Sequence, residues 1–200
     1  MVDEIIVVNN NSNDNTAQVA MQHGATVLSE PIRGYGKACL TGISYVNAKK
    51  DKPNVIIFLD ADYSDHPDEL KLLLQKINEG YDFVIGSRIK SLREKGSMTP
   101  QQLFGNWLAV KLIKLFHKYK YIDLGPFRAI KYDKLIGLDM QDTTYGWTVE
   151  MQIKALKQNL KIAEVPIHYR KRIGKSKISG TIKGTILAGY KIIKTIFKYR

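Results

Sequence analysis

Asp60 and Asp62 flank a single alanine at the end of an apolar run, Val55-Ile56-Ile57-Phe58-Leu59. Two like charges at the mouth of a buried strand disfavour each other's ionised form unless a cation sits with them. Mg²⁺ or Mn²⁺ suits such a pair, because hard cations take carboxylate oxygens and bridge to substrate phosphates. The same carboxylates also suit a solvated loop or a helix N-cap, since acids favour helix starts and Pro67-Asp68-Glu69 opens a helix just beyond. Three other clusters share the strand-end setting. Asn9 through Thr16 offers amide side chains and backbone N–H groups ahead of a helix. Gly34-Tyr35-Gly36-Lys37 is compatible with a phosphate turn, but lacks the spacing of a Walker loop and the third glycine of a Rossmann fingerprint. Gly86-Ser87-Arg88 ends a strand with a guanidinium that can clamp phosphate. Each alone is ordinary turn chemistry; together they point to a nucleotide and a metal.

The elements that must position these groups follow from periodicity. Strands are predicted at Glu4–Val8, Ala25–Leu28, Val55–Leu59 and Asp82–Ile85. They are separated by helices from Thr16, from Gly34 to about Asn47, and from Pro67 to about Glu79. This alternation implies βαβ units and a mostly parallel sheet, whose strand C-termini are where open α/β sheets bind ligands. Further on come a polar loop over 90–100, predicted to be mobile, then a helix over 101–118 and a turn at Leu124-Gly125-Pro126. A helix over 147–158, a strand over 162–168 that Pro166 makes an edge or bulged strand, and a last helix over 180–199 complete the chain. No linker or repeat divides it, so 1–200 reads as a single domain.

The charge is uneven. Of 31 basic and 19 acidic residues, 11 basic and 1 acidic fall in 161–200. An anionic partner is therefore expected at the C-terminal end. A nucleic acid is not: aromatics are not interleaved with the basic run, and no binding motif is present. No apolar run is long enough to span a bilayer, no secretory leader is read, and a single cysteine, Cys39, fits a reducing compartment and a core position on a helix. His23, His66, His117 and His168 are scattered and form no i,i+4 metal pair.

The order of motifs carries a resemblance. Val8-Asn9-Asn10-Asn11-Ser12-x-Asp14-x-Thr16, Arg33-Gly34-Tyr35-Gly36-Lys37-Ala38, Phe58-Leu59-Asp60-Ala61-Asp62-x-Ser64-x-x-Pro67 and Gly86-Ser87-Arg88 come first. Leu124-Gly125-Pro126-Phe127-Arg128-Ala129, Tyr145-Gly146-Trp147-x-x-Glu150 and Glu164-Val165-Pro166-Ile167-x-Tyr169-Arg170-x-Arg172-x-Gly174-x-Ser176-Lys177 follow. Over essentially the whole chain this resembles family 2 glycosyltransferases, most closely their dolichol-phosphate mannosyltransferase-like branch.

The resemblance implies a GT-A (nucleotide-diphospho-sugar transferase) fold and inverting transfer from a donor such as GDP-mannose or a UDP-sugar to a polyprenyl or dolichyl phosphate. It implies metal ligation by Asp60, Asp62 and Ser64. Asn9, Asn11, Arg33, Gly34, Lys37 and Asp60 would meet the donor nucleotide, and Arg88 with one of Arg170 or Arg172 the acceptor phosphate, with Gly174 to Lys177 close by and Lys177 adding charge. Asp123 and Glu150 match acidic positions near the sugar. Two departures stand out. The chain begins at what reads as the family's second strand, so a first strand and helix are expected to be absent. Asn9 also stands where an aspartate is usual.

A phosphate monoester acceptor is already largely ionised at neutral pH and needs charge compensation rather than a base. A sugar hydroxyl acceptor, as in cell-surface polysaccharide synthesis, needs a base, with Asp123 first and Glu150 second. Asp123 equally suits a turn cap, Glu150 a satisfied helix residue, and Arg128 a structural ion partner. On the last helix Ile182, Ile186, Tyr190, Ile193 and Phe197 lie on one face, and Lys183, Lys191, Lys194 and Lys198 on the other. That pattern fits both a core-packing helix and a peripheral membrane contact at the cytoplasmic face, with Trp107, Lys111, Lys114 and Lys118 as a second patch. A chain without catalytic activity that only binds a membrane or a nucleic acid is the remaining alternative.

Overall fold

Strands and helices alternate through the first half of the chain, as the periodicity predicts; the computed structural model describes residues 2–174 and 182–200. Two compact units form, Met1–Pro53 with Met140–Trp147, and Asn54–Asp139 with Thr148–Arg200.

In the first unit β1 (Ile6–Asn9) and β2 (Thr26–Ser29) pair in parallel, Ile6 opposite Thr26 and Asn9 opposite Ser29. Parallel neighbours need a crossover, which α1 (Thr16–Gln22) supplies. α2 (Tyr35–Ala48) packs on β1. Glu4 fastens the helix to the strands: its carboxylate accepts from Thr26 Oγ1 (2.8 Å) and Tyr45 OH (3.0 Å) and pairs with Lys49 Nζ (2.5 Å).

The second unit is built on a four-stranded sheet in the order β3 (Val55–Phe58), β5 (Arg128–Lys131), β4 (Phe83–Ser87), β6 (Ile162–Pro166). β3, β4 and β6 run the same way and β5 runs against them. Pro166 does lie on an edge strand, where its missing N–H costs no ladder bond. Every residue of central β4 is buried. Val84 and Ala129, opposite each other, point to one face with Phe127, Val165 and Ile167, where Leu73 and Ile77 of α3 (Leu70–Asn78) cover them. The period of two sends Phe83, Ile85 and Arg128 to the other face. There Arg128 meets α6 (Trp147–Lys157), which buries Trp147, Val149, Glu150, Met151, Gln152, Ile153 and Ala155.

The 90–100 segment is not a free loop: Tyr169 N–H donates to the Leu92 carbonyl and Glu94 N–H to the Tyr169 carbonyl. It ends in a capping box, Thr99 with Gln102, that starts α4 (Pro100–His117), with Pro100 in the first turn as its fixed φ allows. α4 packs against α7 (Ile182–Lys198). α5 (Tyr132–Gly137), directly after β5, is too short to leave a periodic signal.

Candidate active site

Asp60 and Asp62 follow β3 by two and four residues, at the end where Phe58 lies opposite Arg128. Burial and the Asp62 charge push the Asp60 carboxyl up to about 6, against the pull of Arg88, Arg172 and Arg128. Asp62 carries a ring of contacts. Its Oδ1 accepts from the Ser64 N–H (3.0 Å) and the Ser64 hydroxyl, and its Oδ2 pairs with Arg172 Nη2 at 3.1 Å. Ser64 itself is fully buried. Two neighbouring carboxylates with the half-exposed Arg172 beside them combine oxygens for a hard cation with a guanidinium group for phosphate. Among the described residues no three Asp, Glu, His or Cys side chains converge as a complete ligand set. The donor set therefore fits an ion that keeps other ligands, such as water or substrate phosphate.

Arg88 and Asp123, separated by 35 residues in sequence, are locked together. Arg88 Nε donates to Asp123 Oδ2 at 2.7 Å, Nη2 to Oδ1 at 2.9 Å, and the Arg88 backbone N–H to Oδ2 at 3.0 Å. Leu124 N–H gives Oδ1 a fourth donor at 2.9 Å. A carboxylate has about four lone-pair sites, so Asp123 is saturated. Burial alone would raise its pKa, but the Arg88 charge and hydrogen bonds outweigh that and hold the group below the ordinary carboxylate range. Both properties work against the general-base role and for a positioning one. Arg88 is held on its other side by the Tyr169 ring, 5.1 Å from the guanidinium carbon. Glu164, not among the expected site residues, fixes this arrangement by accepting from Ser87 Oγ (2.7 Å) and the N–H groups of Ile122 and Asp123. Gly125 is required here because a β-carbon on it would overlap the Gly86 carbonyl.

Glu150 lies in a different cluster. It is buried, pairs with Lys154 Nζ at 2.8 Å and accepts from Tyr199 OH at 2.8 Å, so it fastens the C-terminus to α6. Arg128 is buried too; it donates to the Thr148 carbonyl (3.2 Å) and the Gly125 carbonyl, which makes it a brace between the 125 turn and α6.

Residues 169–173 form a strap over the acidic turn, which the sequence did not reveal. Arg170 N–H donates to the Ser64 carbonyl and Ile173 N–H to the Asp62 carbonyl, both at 2.9 Å. The Arg170 guanidinium stacks on Tyr63 at 3.3 Å and donates to the Tyr63 and Asp65 carbonyls. Of the two arginines, Arg170 is thus spent on shaping the turn, while Arg172 is half-exposed beside Asp62. Lys177 lies outside the described residues. Under the strap, Asp65 was also missed: it is 2% exposed, and burial plus the Asp60 charge push it up to about 7. The histidines are less scattered than their spacing suggests, since the His66 and His168 rings meet edge-on at 5.9 Å.

In the first unit Asn9 Oδ1 accepts from the Ser12 N–H (3.1 Å), and Asn11 takes a left-handed φ of 54° in that turn. Asn10 joins the two loops: its Nδ2 donates to the Glu30 and Ile32 carbonyls and its Oδ1 accepts from the Gly34 N–H (2.8 Å). The N–H groups of Gly36 and Lys37 donate to the Thr144 and Thr143 carbonyls. A β-carbon at Gly36 would overlap the Asp142 carbonyl. Close approach of 142–144, rather than a phosphate cradle, therefore explains the backbone here. Exposed Arg33 and the Lys37 ammonium, 4.0 Å from buried Glu30, are the groups left for an anion.

α4 and α7 enclose an apolar groove of about 490 Å³, kept open by Gly105, Ala109 and Gly189. Phe104, Trp107, Ile186 and Tyr190 are each more than half exposed. Ile193 lines the groove and the Phe197 ring meets Phe116 edge-on at 5.3 Å, whereas Ile186 and Tyr190 are mostly exposed, which divides the predicted apolar stripe. Among the described residues no helix is long and apolar enough to cross a membrane.

The model of the glycosyl transferase family 2 matches residues 1–138. An uncharacterised glycosyltransferase of Mycobacterium tuberculosis is 30% identical over 92% of this chain and 81% of its own. A dolichyl-phosphate hexose transferase of Haloferax volcanii is 30% identical over 98% of this chain and 82% of its own. Among solved structures, glucosyl-3-phosphoglycerate synthase from Mycobacterium tuberculosis, in complex with Mn²⁺, uridine diphosphate and phosphoglyceric acid, superposes with a TM-score of 0.76 at 20% identity. That match covers 99% of this chain and 68% of the other. Mannosyl-3-phosphoglycerate synthase from Rubrobacter xylanophilus gives 0.74 at 18% identity over 99% and 63%. The fold is GT-A.

Proposed function

Because this chain belongs to glycosyl transferase family 2 and is a glycosyltransferase, we propose that it moves a hexose, with inversion, from a nucleoside-diphosphate sugar to a polyprenyl phosphate. The state of Asp123 carries the acceptor half of this reading. With four donors on its two oxygens it has no lone pair left to take a proton, and Glu150 is occupied by Lys154 and Tyr199. A hydroxyl acceptor needs a base, whereas a phosphate brings its own charged nucleophile. The dolichyl-phosphate hexose transferase of Haloferax volcanii, similar along nearly the whole chain, supports the same choice.

Asp60 and Asp62, with Ser64 behind them, are the residues that would hold Mg²⁺ or Mn²⁺. When bound, such an ion supplies Lewis-acid neutralisation of the leaving diphosphate. Arg172 and Lys177 compensate the acceptor phosphate, and Arg88 adds positive potential from below, held in place by Asp123. Arg170 keeps the acidic turn in shape. Asn9, Asn11, Arg33, Gly34 and Lys37 are assigned to the donor nucleotide, Gly34 and the asparagines through the shape of their turns and the two cations through charge. We read 1–200 as one catalytic domain, the family model running through both units. The exposed Phe104, Trp107, Ile186 and Tyr190 around the apolar groove, with Lys111, Lys114, Lys191 and Lys194 on the same two helices, support a peripheral contact with the inner face of a membrane, where a lipid-linked phosphate is presented.

The test is a screen of GDP-mannose and UDP-sugars with Mn²⁺ and a short-chain polyprenyl phosphate, read as labelled sugar in the organic phase. Transfer should require the phosphate and persist in Glu150→Gln if that variant folds. Transfer to a free sugar hydroxyl, with none to the lipid phosphate, refutes the acceptor assignment.

A further inference from the structure

Asp65 is the most buried carboxylate of the acidic turn, at 2% exposure, and neither of its oxygens has a hydrogen-bond partner among the described residues. A buried carboxylate left this way is costly, and folds keep one only where a cation or a proton meets it. Its backbone is pinned on the strap side: Asp65 bridges to Tyr169, and its carbonyl accepts from Arg170 Nη2 at 3.4 Å. The turn is closed next to it by Arg170 N–H on the Ser64 carbonyl. The backbone that carries the side chain is therefore fixed by the strap. The charges that act on it are Asp60, Asp62 and Arg88, so it lies close to the carboxylate pair, and Arg88 has already given Nε and Nη2 to Asp123. Ser64 turns its hydroxyl to Asp62.

From this geometry we infer that Asp65 is a further member of the cation site, contacting the ion's water shell rather than the ion. The inference rests on the metal reading above. An outer position is consistent with the described residues, among which no three carboxylate, imidazole or thiol groups converge. It also suits Mg²⁺, which gives up its waters reluctantly and keeps several in protein sites. Two otherwise unpartnered buried oxygens would accept from such waters and orient them, and so help Asp60 and Asp62 to hold the ion. Loss of an outer carboxylate of this kind typically costs 10–100-fold in metal affinity.

The experiment titrates Mn²⁺ alone into the full chain and follows the free ion by its electron paramagnetic resonance signal, for the wild type, Asp62→Ala and Asp65→Asn. Metal-free melting curves are recorded alongside. Wild-type binding, its loss in Asp62→Ala, and a Kd raised about 10-fold or more in Asp65→Asn are expected. Metal-free Asp65→Asn should melt no lower than the wild type, because an unpaired buried charge has been removed. If Asp62→Ala abolishes binding while Asp65→Asn stays within twofold of the wild type, the inference falls and the metal reading stands. If the wild type binds no Mn²⁺, both fall. A markedly lower metal-free melting temperature for Asp65→Asn overturns the inference in favour of a role in holding the fold.

Discussion

Replacing Asp123 by Asn separates a base from a positioning residue. The Asp123 and Arg88 side chains are 5% and 10% exposed, and the pair makes two side-chain hydrogen bonds at 2.7 and 2.9 Å. Asn keeps the shape but removes the charge, and its amide nitrogen opposes one guanidinium donor. Breaking a buried pair and stranding one partner costs about 3–5 kcal/mol. For a chain of 200 residues that lowers the melting temperature by roughly 6–20 °C. Removing both charges with groups of similar volume, Arg88→Met with Asp123→Leu, is often neutral or stabilising. The double variant should therefore recover most of the loss, with a coupling energy of about 2–4 kcal/mol. The assay is urea unfolding of the wild type, both single variants and the double variant, with turnover measured on whichever remain folded. A proton-abstracting Asp123 predicts the opposite pattern: Asp123→Asn folded with near-wild-type stability and turnover abolished. A cost below about 1 kcal/mol for Asp123→Asn would refute the positioning argument.

Three further outcomes follow from the same geometry. Asp60 and Asp65, at about 6 and about 7, bind protons more tightly folded than unfolded, so their contribution is present at low pH and is lost as pH rises through those values. The metal-free protein should gain roughly 1–2 kcal/mol between pH 8 and pH 6. His117, whose pKa burial and the nearby Lys157 lower, opposes the gain below about 6.5, and a melting temperature flat or falling over that interval would contradict the assignment. Arg172→Gln frees Asp62 Oδ2 and should tighten Mn²⁺ binding measured without donor, while raising KM for the acceptor phosphate; an unchanged Kd for Mn²⁺ would show that the 3.1 Å pair does not compete with the ion. Gly125→Ala forces a β-carbon into the Gly86 carbonyl and should destabilise the 123–127 turn by about 1–3 kcal/mol, read by urea unfolding.

Local signals went far in this chain. Val55–Phe58 is a strand because it is short, β-branched and apolar, and the acids after it stand at its mouth for the same reason. Alternating strands and helices announced the α/β class, and Pro166 announced an edge or bulged strand, which the sheet order makes an edge. The ordered motifs pointed to the family, since each sits where chain direction reverses and a ligand can be met. What local patterns could not carry is pairing at a distance. Arg88 and Asp123 read as an acceptor ligand and a base when taken singly, and only the turn at 123–125, drawn against β4, turns them into one ion pair. Glu150 read as a second base until Tyr199, 49 residues on, reached it. Asp65 looked like one more polar turn residue and became a buried carboxylate because the 169–173 strap closes over it. Strand, helix and turn propensities act over a few residues and show in composition. Burial and charge pairing depend on which distant segment arrives, and that is decided by tertiary structure alone.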